Sequence, residues 1–211
     1  TKNEPLTVLD GVTVDRYDTH FTREALRRKY GIDADALVVT YTGALVANKG
    51  IFSFLHALPI ILAGHPKAHI VLAGFPWNEV AEYVADQPWM NRVTKISPLP
   101  YFDLPQVLAL SDIGVDPKKE GVGQASGKML QYMGAGLPVA CFDTPNNREY
   151  LGEGGEYARE ATAAGLADAT LRLLRDPELR KRKGEANRVR ARVEFSWDQT
   201  ARGLERVYEE L

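Results

Sequence analysis

Short apolar runs rich in β-branched residues alternate with longer stretches of helical periodicity, and this alternation narrows the possible folds more than any other feature of the chain. The runs lie at 37–42, 69–73, 93–97, 113–115 and 139–142, with a weaker one at 156–158. Between them, helical patterns cover 51–63, 78–86, 104–110, 128–133 and 161–174. Strand and helix repeated in this way predict a doubly wound, Rossmann-like α/β domain, a parallel sheet wrapped by helices. Pro59 falls inside the first helical stretch and is expected to kink it or shift its start. A length of 211 residues suits one domain, read as an opening segment over 1–30, a core over 31–176 and C-terminal helices over 177–211. Thr22 is placed to cap a helix REALRRKY, and 195–211 carries Trp197, Leu204, Val207 and Tyr208 at helical spacing.

In open parallel sheets the ligand lies beyond the carboxyl ends of the strands. That edge holds the loops 43–49, 74–78, 98–103, 116–128 and 143–148, which include all the glycine-rich or unusually polar connections. The opposite connections, AGHPKA and LGEGGE, read as plain turns. In 116–139, DPKKEGVGQASGKMLQYMGAGLPV, a polar loop passes Ser126, Gly127 and Lys128 into a short helix. Unsatisfied helix N–H groups, the positive helix end and a lysine then meet at one point, which suits a phosphate or diphosphate. Ser126 is the expected cap, and Gly127 allows close backbone approach. Lys128 and Gln131 fall on one helix face, with Gln131 able to hydrogen-bond a neutral polyol such as a ribose. In TGALVANKG, Gly43 makes the turn after the first strand and Lys49 brings a point charge to the sheet edge. Glu120 either touches a sugar hydroxyl or faces water. Leu99 and Tyr101, in PLPY, form a rigid rim where Tyr101 either stacks on a flat base or is buried by the proline-shaped loop. Asn146, Asn147 and Arg148 follow a strand end and cap a helix, donate to a ligand, or do both.

Several function classes find no support. The glycine that should open a P-loop is Val122, and Met129 stands where a magnesium-binding Ser or Thr belongs, so an ATPase or GTPase is disfavoured. No G-x-G-x-x-G dinucleotide fingerprint and no G-x-S-x-G elbow occurs. The 4 histidines, His20, His56, His65 and His69, lack metal-binding spacing, so no metal is expected. A net charge of −2 gives no global case for nucleic acid. The basic stretch 177–194 reads as a solvated helix face interleaved with Asp176, Glu178 and Glu185. Cys141 is the single cysteine and excludes an intrachain disulfide. No apolar run approaches the ~18 residues that a membrane-spanning helix needs, and no secretory signal is read ahead of the fold.

Taken in order, these segments resemble the carboxy-terminal half of a GT-B glycosyltransferase of family 4, the retaining, nucleotide-sugar-dependent type. VLDGV resembles the segment between that family's two domains, and TGALVANKGI its strand-to-helix element ending in Lys-Gly. HIVLAG and LPYFDLPQVLALSDIGVDP resemble its third-strand glycine and following helix. GKMLQYMGAGLPVACFDTPNNREYL resembles its donor-site block, and FSWDQTARGLERVYEEL its closing helix.

The resemblance implies a donor-binding domain that takes a UDP- or GDP-sugar as substrate, with no further cofactor and no divalent metal. The acceptor would be a glycan or a lipid-linked sugar. An N-terminal acceptor domain would lie outside this chain, so the fragment alone would be inactive. It would work in the cytoplasm, at the inner face of the membrane if that other domain docks there. The family's diphosphate-binding arginine and lysine correspond to Ala44 and Lys49, and its two donor-contacting glutamates to Gly123 and Gln131. Glu120 is placed to substitute by a loop shift, and Lys128 to replace the lost positive charge. With Ala44, Gly123 and Gln131 departing from the pattern, two further readings stay open. One is a non-catalytic binding or scaffold protein; the other is a different GT-B activity, a sugar-nucleotide epimerase or a glycan phosphorylase.

Overall fold

The apolar runs form six parallel strands, and the structure, a computed structural model, describes residues 10–119 and 127–209. They are β1 (Leu37–Thr42), β2 (Ala68–Ala73), β3 (Val93–Ile96), β4 (Ile113–Asp116), β5 (Val139–Phe142) and β6 (Gly155–Ala158). Their order is β3-β2-β1-β4-β5-β6. β1 therefore lies at the sheet centre, with β2 in register from Leu37↔Ala68 to Thr42↔Ala73, and β4 on its other side through Val39↔Ile113. The helices are α1 (Arg23–Lys29), α2 (Ile51–Gly64), α3 (Asn78–Val84), α4 (Leu104–Ala109), α5 (Gly127–Gly134), α6 (Pro145–Leu151), α7 (Ala163–Arg175), α8 (Pro177–Glu194) and α9 (Trp197–Glu209).

Side chains alternate across a strand, so the sheet has two faces to bury. Val39 and Tyr41 of β1, Ile70 and Leu72 of β2, Ile113 and Val115 of β4, and Ala140 and Phe142 of β5 enter one cluster. Phe54, Leu58 and Ile61 of α2 and Leu166, Ala169 and Leu173 of α7 complete it. Their neighbours in sequence face the other way. Val38, Val71 and Ala73 pack with Leu26 of α1 and Val107 of α4, and Val139 and Cys141 pack with Met129, Tyr132 and Met133 of α5. Covered on both sides, the strands carry continuous apolar runs instead of alternating ones. Each such side chain contributes about 1.5–3 kcal/mol when fully buried.

Some local expectations shift. α2 begins at Ile51 and runs through Pro59, so the proline does not move the helix start; its ring nitrogen forgoes one backbone hydrogen bond. Thr22 caps α1 as expected, its hydroxyl accepting from the Ala25 amide at 3.3 Å. The cap of α6 is Thr144, followed by Pro145 in the first turn. Asn147 is buried instead, its side-chain amide donating to the Phe142 carbonyl at 2.8 Å.

The basic helix α8 is less solvated than its composition predicts. Arg180 donates to the carbonyls of Leu173 and Leu174, and Lys183 to those of Glu153 and Gly155. Arg188 pairs with Asp18 and Arg192 with Asp15, tying α8 to the turn at Val14–Tyr17. Gly184 lets the helix approach the connection before β5, where a Cβ would meet the Gly136 carbonyl oxygen at 2.3 Å. α9, by contrast, buries none of its described residues, and Trp197, Leu204 and Tyr208 face outward.

Asn187 of α8 is wholly buried and donates to the carbonyls of Leu137 at 2.8 Å and Gly154 at 3.2 Å. Asn187→Ala would leave both acceptors without that donor, and a lowered urea midpoint corresponding to about 2 kcal/mol is expected.

Candidate functional site

The carboxyl edge is built by loops brought into backbone contact. The ladder continues past the strands: the Gly43 amide donates to the Ala73 carbonyl at 3.0 Å, Leu45 to Phe75 at 3.3 Å, and Gly74 to Ile96 at 2.9 Å. Gly74 meets Gly43 so closely that a Cβ on it would lie 1.8 Å from the Gly43 oxygen. Gly50, at φ 78°, presses on the loop after β4, where a Cβ would lie 2.1 Å from the Pro117 oxygen. The β1 and β4 loops therefore close on each other where the strand order reverses, the place at which such sheets bind ligands.

α5 starts at this point and is pinned by Tyr132. Its hydroxyl accepts from the Thr42 amide at 2.8 Å, fixing the helix to the end of β1. One turn earlier, Lys128 turns inward. Its Nζ lies 3.8 Å from the Tyr41 ring centroid and 3.6 Å from Asp116 Oδ1, with the side chain only 10% exposed. At that separation the contact is an ion pair and not a hydrogen bond. Burial pushes the Lys128 ammonium down to about 8; Asp116 opposes the shift, while Lys118 and Lys49 add to it by repulsion. Lys118 is itself buried, and its ammonium is also pushed down by burial, with Asp116 opposing and Lys49 reinforcing. Three lysines thus converge where β1 and β4 end.

The other expected residues divide into groups. Gly127, Gln131 and Tyr101 line one cleft of about 260 Å³, together with Asp10, Gly11, Thr13, Arg16 and Trp197. Gln131 and Lys128, expected on one face, part company: Gln131 lines the cleft and Lys128 points under the β1 loop. Tyr101 is 61% exposed and so is not buried by its loop; one ring face carries the Arg16 guanidinium at 3.9 Å. Leu99 packs partly buried against the apolar clusters beneath. Gly43 lies over Lys128, where a Cβ would be 3.7 Å from its Cε. Arg148 is engaged within the protein, in a two-pronged pair with Asp143 at 2.7 Å on each arm and stacked 3.8 Å from the Tyr157 centroid. Glu120 and Ser126 lie outside the described residues, as does Gly123. Asp116, Lys118 and Tyr41 were not singled out from sequence; the Asp-Pro-Lys-Lys run at the end of an apolar strand was the only signal for the first two, and Tyr41 carried none beyond its strand. Among the described residues no cluster of metal-ligating side chains occurs. No helix among them is long and apolar enough to cross a membrane.

A parallel sheet with a cationic helix start at its switch point defines a Rossmann-like α/β domain. The glycosyl transferases group 1 profile matches residues 22–190, and the chain belongs to that family. Among curated relatives it is 28% identical to the Bacillus subtilis spore coat protein SA, over 99% of this chain and 59% of that protein. It is 26% identical to the Streptomyces kanamyceticus alpha-D-kanosaminyltransferase, over 92% of this chain and 50% of that enzyme. The chain thus spans about half the length of the curated relatives it matches. Of solved structures, Anabaena Alr3699/HepE in complex with UDP and glucose superposes with a TM-score of 0.81 at 18% identity, over 97% of this chain and 57% of that one. The C-terminal domain of the Francisella tularensis group 1 protein LpcC superposes at 0.74 and 18% identity, over 88% of this chain and 99% of that domain. These likenesses establish the GT-B C-terminal fold expected from the sequence.

Gly50→Ala would force a left-handed backbone onto alanine and drive its Cβ into the Pro117 carbonyl. A loss of at least about 2 kcal/mol is expected in thermal unfolding.

Proposed function

We propose that this chain is the donor-binding domain of a retaining glycosyltransferase. The whole protein would move a hexose-type sugar from a nucleoside diphosphate to a glycan or lipid-linked acceptor. The observation that carries the reading is the convergence of Lys49, Lys118 and Lys128 with the start of α5 at the switch point. Negative charge grows on the diphosphate as the sugar departs, and preorganised cations and amides in a partly dry site stabilise it. No proton donor is required of these residues; their contribution is electrostatic. Gln131 and Tyr101, sharing the neighbouring cleft, would meet the ribose and base, with Gly127 at the helix mouth. The presence of UDP and glucose in the HepE structure, and the transferase name of the kanosaminyl relative, support the reading.

The acceptor site would belong to a second domain, so transfer by this chain alone is not expected. A place in the cytoplasm, at the inner membrane face where the acceptor is lipid-linked, fits the same reading. Loss of the family's arginine at Ala44 and of its second glutamate at Gln131 favours a binding-only protein as the second reading.

Titration of the labelled chain with UDP and with GDP distinguishes these from an unrelated use of the fold. Amide shifts are expected at Lys49, at 99–101 and at 127–131, and Lys128→Ala should weaken binding several-fold, about 1 kcal/mol or more. No response in those three segments at millimolar nucleotide would sink the donor-site reading. Binding that survives in a two-domain protein without transfer to any acceptor would favour the binding-only reading.

A further inference from the structure

Asp116 ends β4 with its carboxylate wholly buried, and neither oxygen receives a hydrogen bond among the described residues. Lys128 Nζ makes none there either, although nine-tenths of its side chain is covered. A stable buried ion pair closes to about 2.7–2.9 Å and fills its remaining donors and acceptors. This one stands at 3.6 Å and does neither. The ammonium is held by attraction across a gap and by the face of Tyr41. A side chain on Gly43 would touch Lys128 Cε, and at Gly127 a Cβ would meet nothing within 4 Å. Among the described residues, therefore, nothing crowds Gly127 at the helix start, and the buried cation beside it is incompletely satisfied.

We propose that Asp116 is a positioning residue that holds the Lys128 ammonium beneath Gly43, and that an anionic diphosphate at the start of α5 draws it away, coupling donor binding to the protonation of Lys128. This rests on the donor-binding reading and adds the group that sets its pH range.

The charged and titratable groups facing the pair come from four directions: Tyr41 on β1, Lys49 and Lys118 in the loops, Tyr132 on α5 and Cys141 on β5. Burial drives both tyrosine hydroxyls and the Cys141 thiol upward, so these stay neutral near pH 8. Lys128, lowered to about 8, changes charge there, and Lys118 is lowered in the same sense. The sign follows. As pH rises through the Lys128 value the site loses a positive charge, so diphosphate affinity falls. A bound diphosphate favours the ammonium and raises that value, so binding takes up a proton. Asp116→Asn removes the anion that keeps Lys128 charged and lowers the midpoint. Below that lowered midpoint the cation is present and no longer held back.

The test is NMR of ¹³Cε-labelled lysines in the full chain, assigned with Lys128→Arg, and titrated with pH and with UDP-glucose, whose diphosphate ester does not change charge in this range. We expect a ligand-free Lys128 midpoint near 8. UDP-glucose should raise it, and affinity should fall about three-fold or more between pH 7 and 8.5, below the range in which the uracil ring ionises. In Asp116→Asn that fall moves to lower pH, with affinity below the shifted midpoint equal to or tighter than the unaltered chain. A purely structural Asp116 would lower stability without moving the pH profile. Titration of Lys128 near the ordinary lysine value overturns the pairing, and this arm needs no variant to fold. Amide responses to UDP-glucose at residues 43 and 127 with a flat pH profile overturn the coupling and leave the donor reading standing. No response at any residue to UDP-glucose or GDP-glucose removes the donor reading and the coupling together.

Discussion

The close approach of bare backbone at the carboxyl ends of β1, β2 and β4 is the constraint on which the site depends. Gly74 against Gly43 and Gly50 against Pro117 let three loops lie against one another at distances that no side chain on Gly50 or Gly74 permits. With β1 and β4 adjacent at the sheet centre, that contact brings Lys49 and Lys118 near Lys128, which α5 supplies from the other side. Removing the contact would leave the lysines as unrelated surface charges. The glycines serve the site by geometry, and their conformational freedom in the unfolded chain is the cost.

Electrostatically the site is held in tension. Desolvation penalises Lys128, two neighbouring lysines repel it, and the compensating carboxylate stands too far away to hydrogen-bond. A fold selected for stability alone would do better with an apolar pair at these positions, since buried ion pairs seldom repay their desolvation. Retaining them makes sense where the cation has another partner to meet, and functional sites commonly give up stability in this way. Two partly buried arginines among the described residues are better satisfied. Arg92 caps the end of α2 and the following turn through the carbonyls of Leu62, His65 and Ala68. Arg172 joins Glu156 to the Tyr157 carbonyl. The contrast singles out Lys128.

The fold was largely legible before any coordinates. All six expected strands, the weaker one at 156–158 included, lie within a residue of their observed bounds, because short apolar runs bounded by turn residues are determined locally. Less legible was the helix over 177–194. Its charges read as solvated, yet Lys183, Arg188 and Arg190 reach carbonyls or acids far away in sequence, and Arg180 reaches back to carbonyls at the end of α7. Composition reports how many cations a helix carries and not where its partners lie. Gln131 and Lys128 make the same point. Helical spacing puts them near each other, but the sheet draws one inward and leaves the other on the cleft.

The sequence by itself determined the alternating strands and helices, the edge on which the glycine-rich and polar loops collect, and the family, since all three are carried by local pattern and by the order of short motifs. Tertiary structure alone decided which polar residues share a site. It paired Asp116 with Lys128, enlisted Lys118 and Tyr41, and committed Arg148 to Asp143. The physical reason is that burial and Coulomb attraction depend on distance through space, and that distance is set by strand order and loop contact between segments remote along the chain.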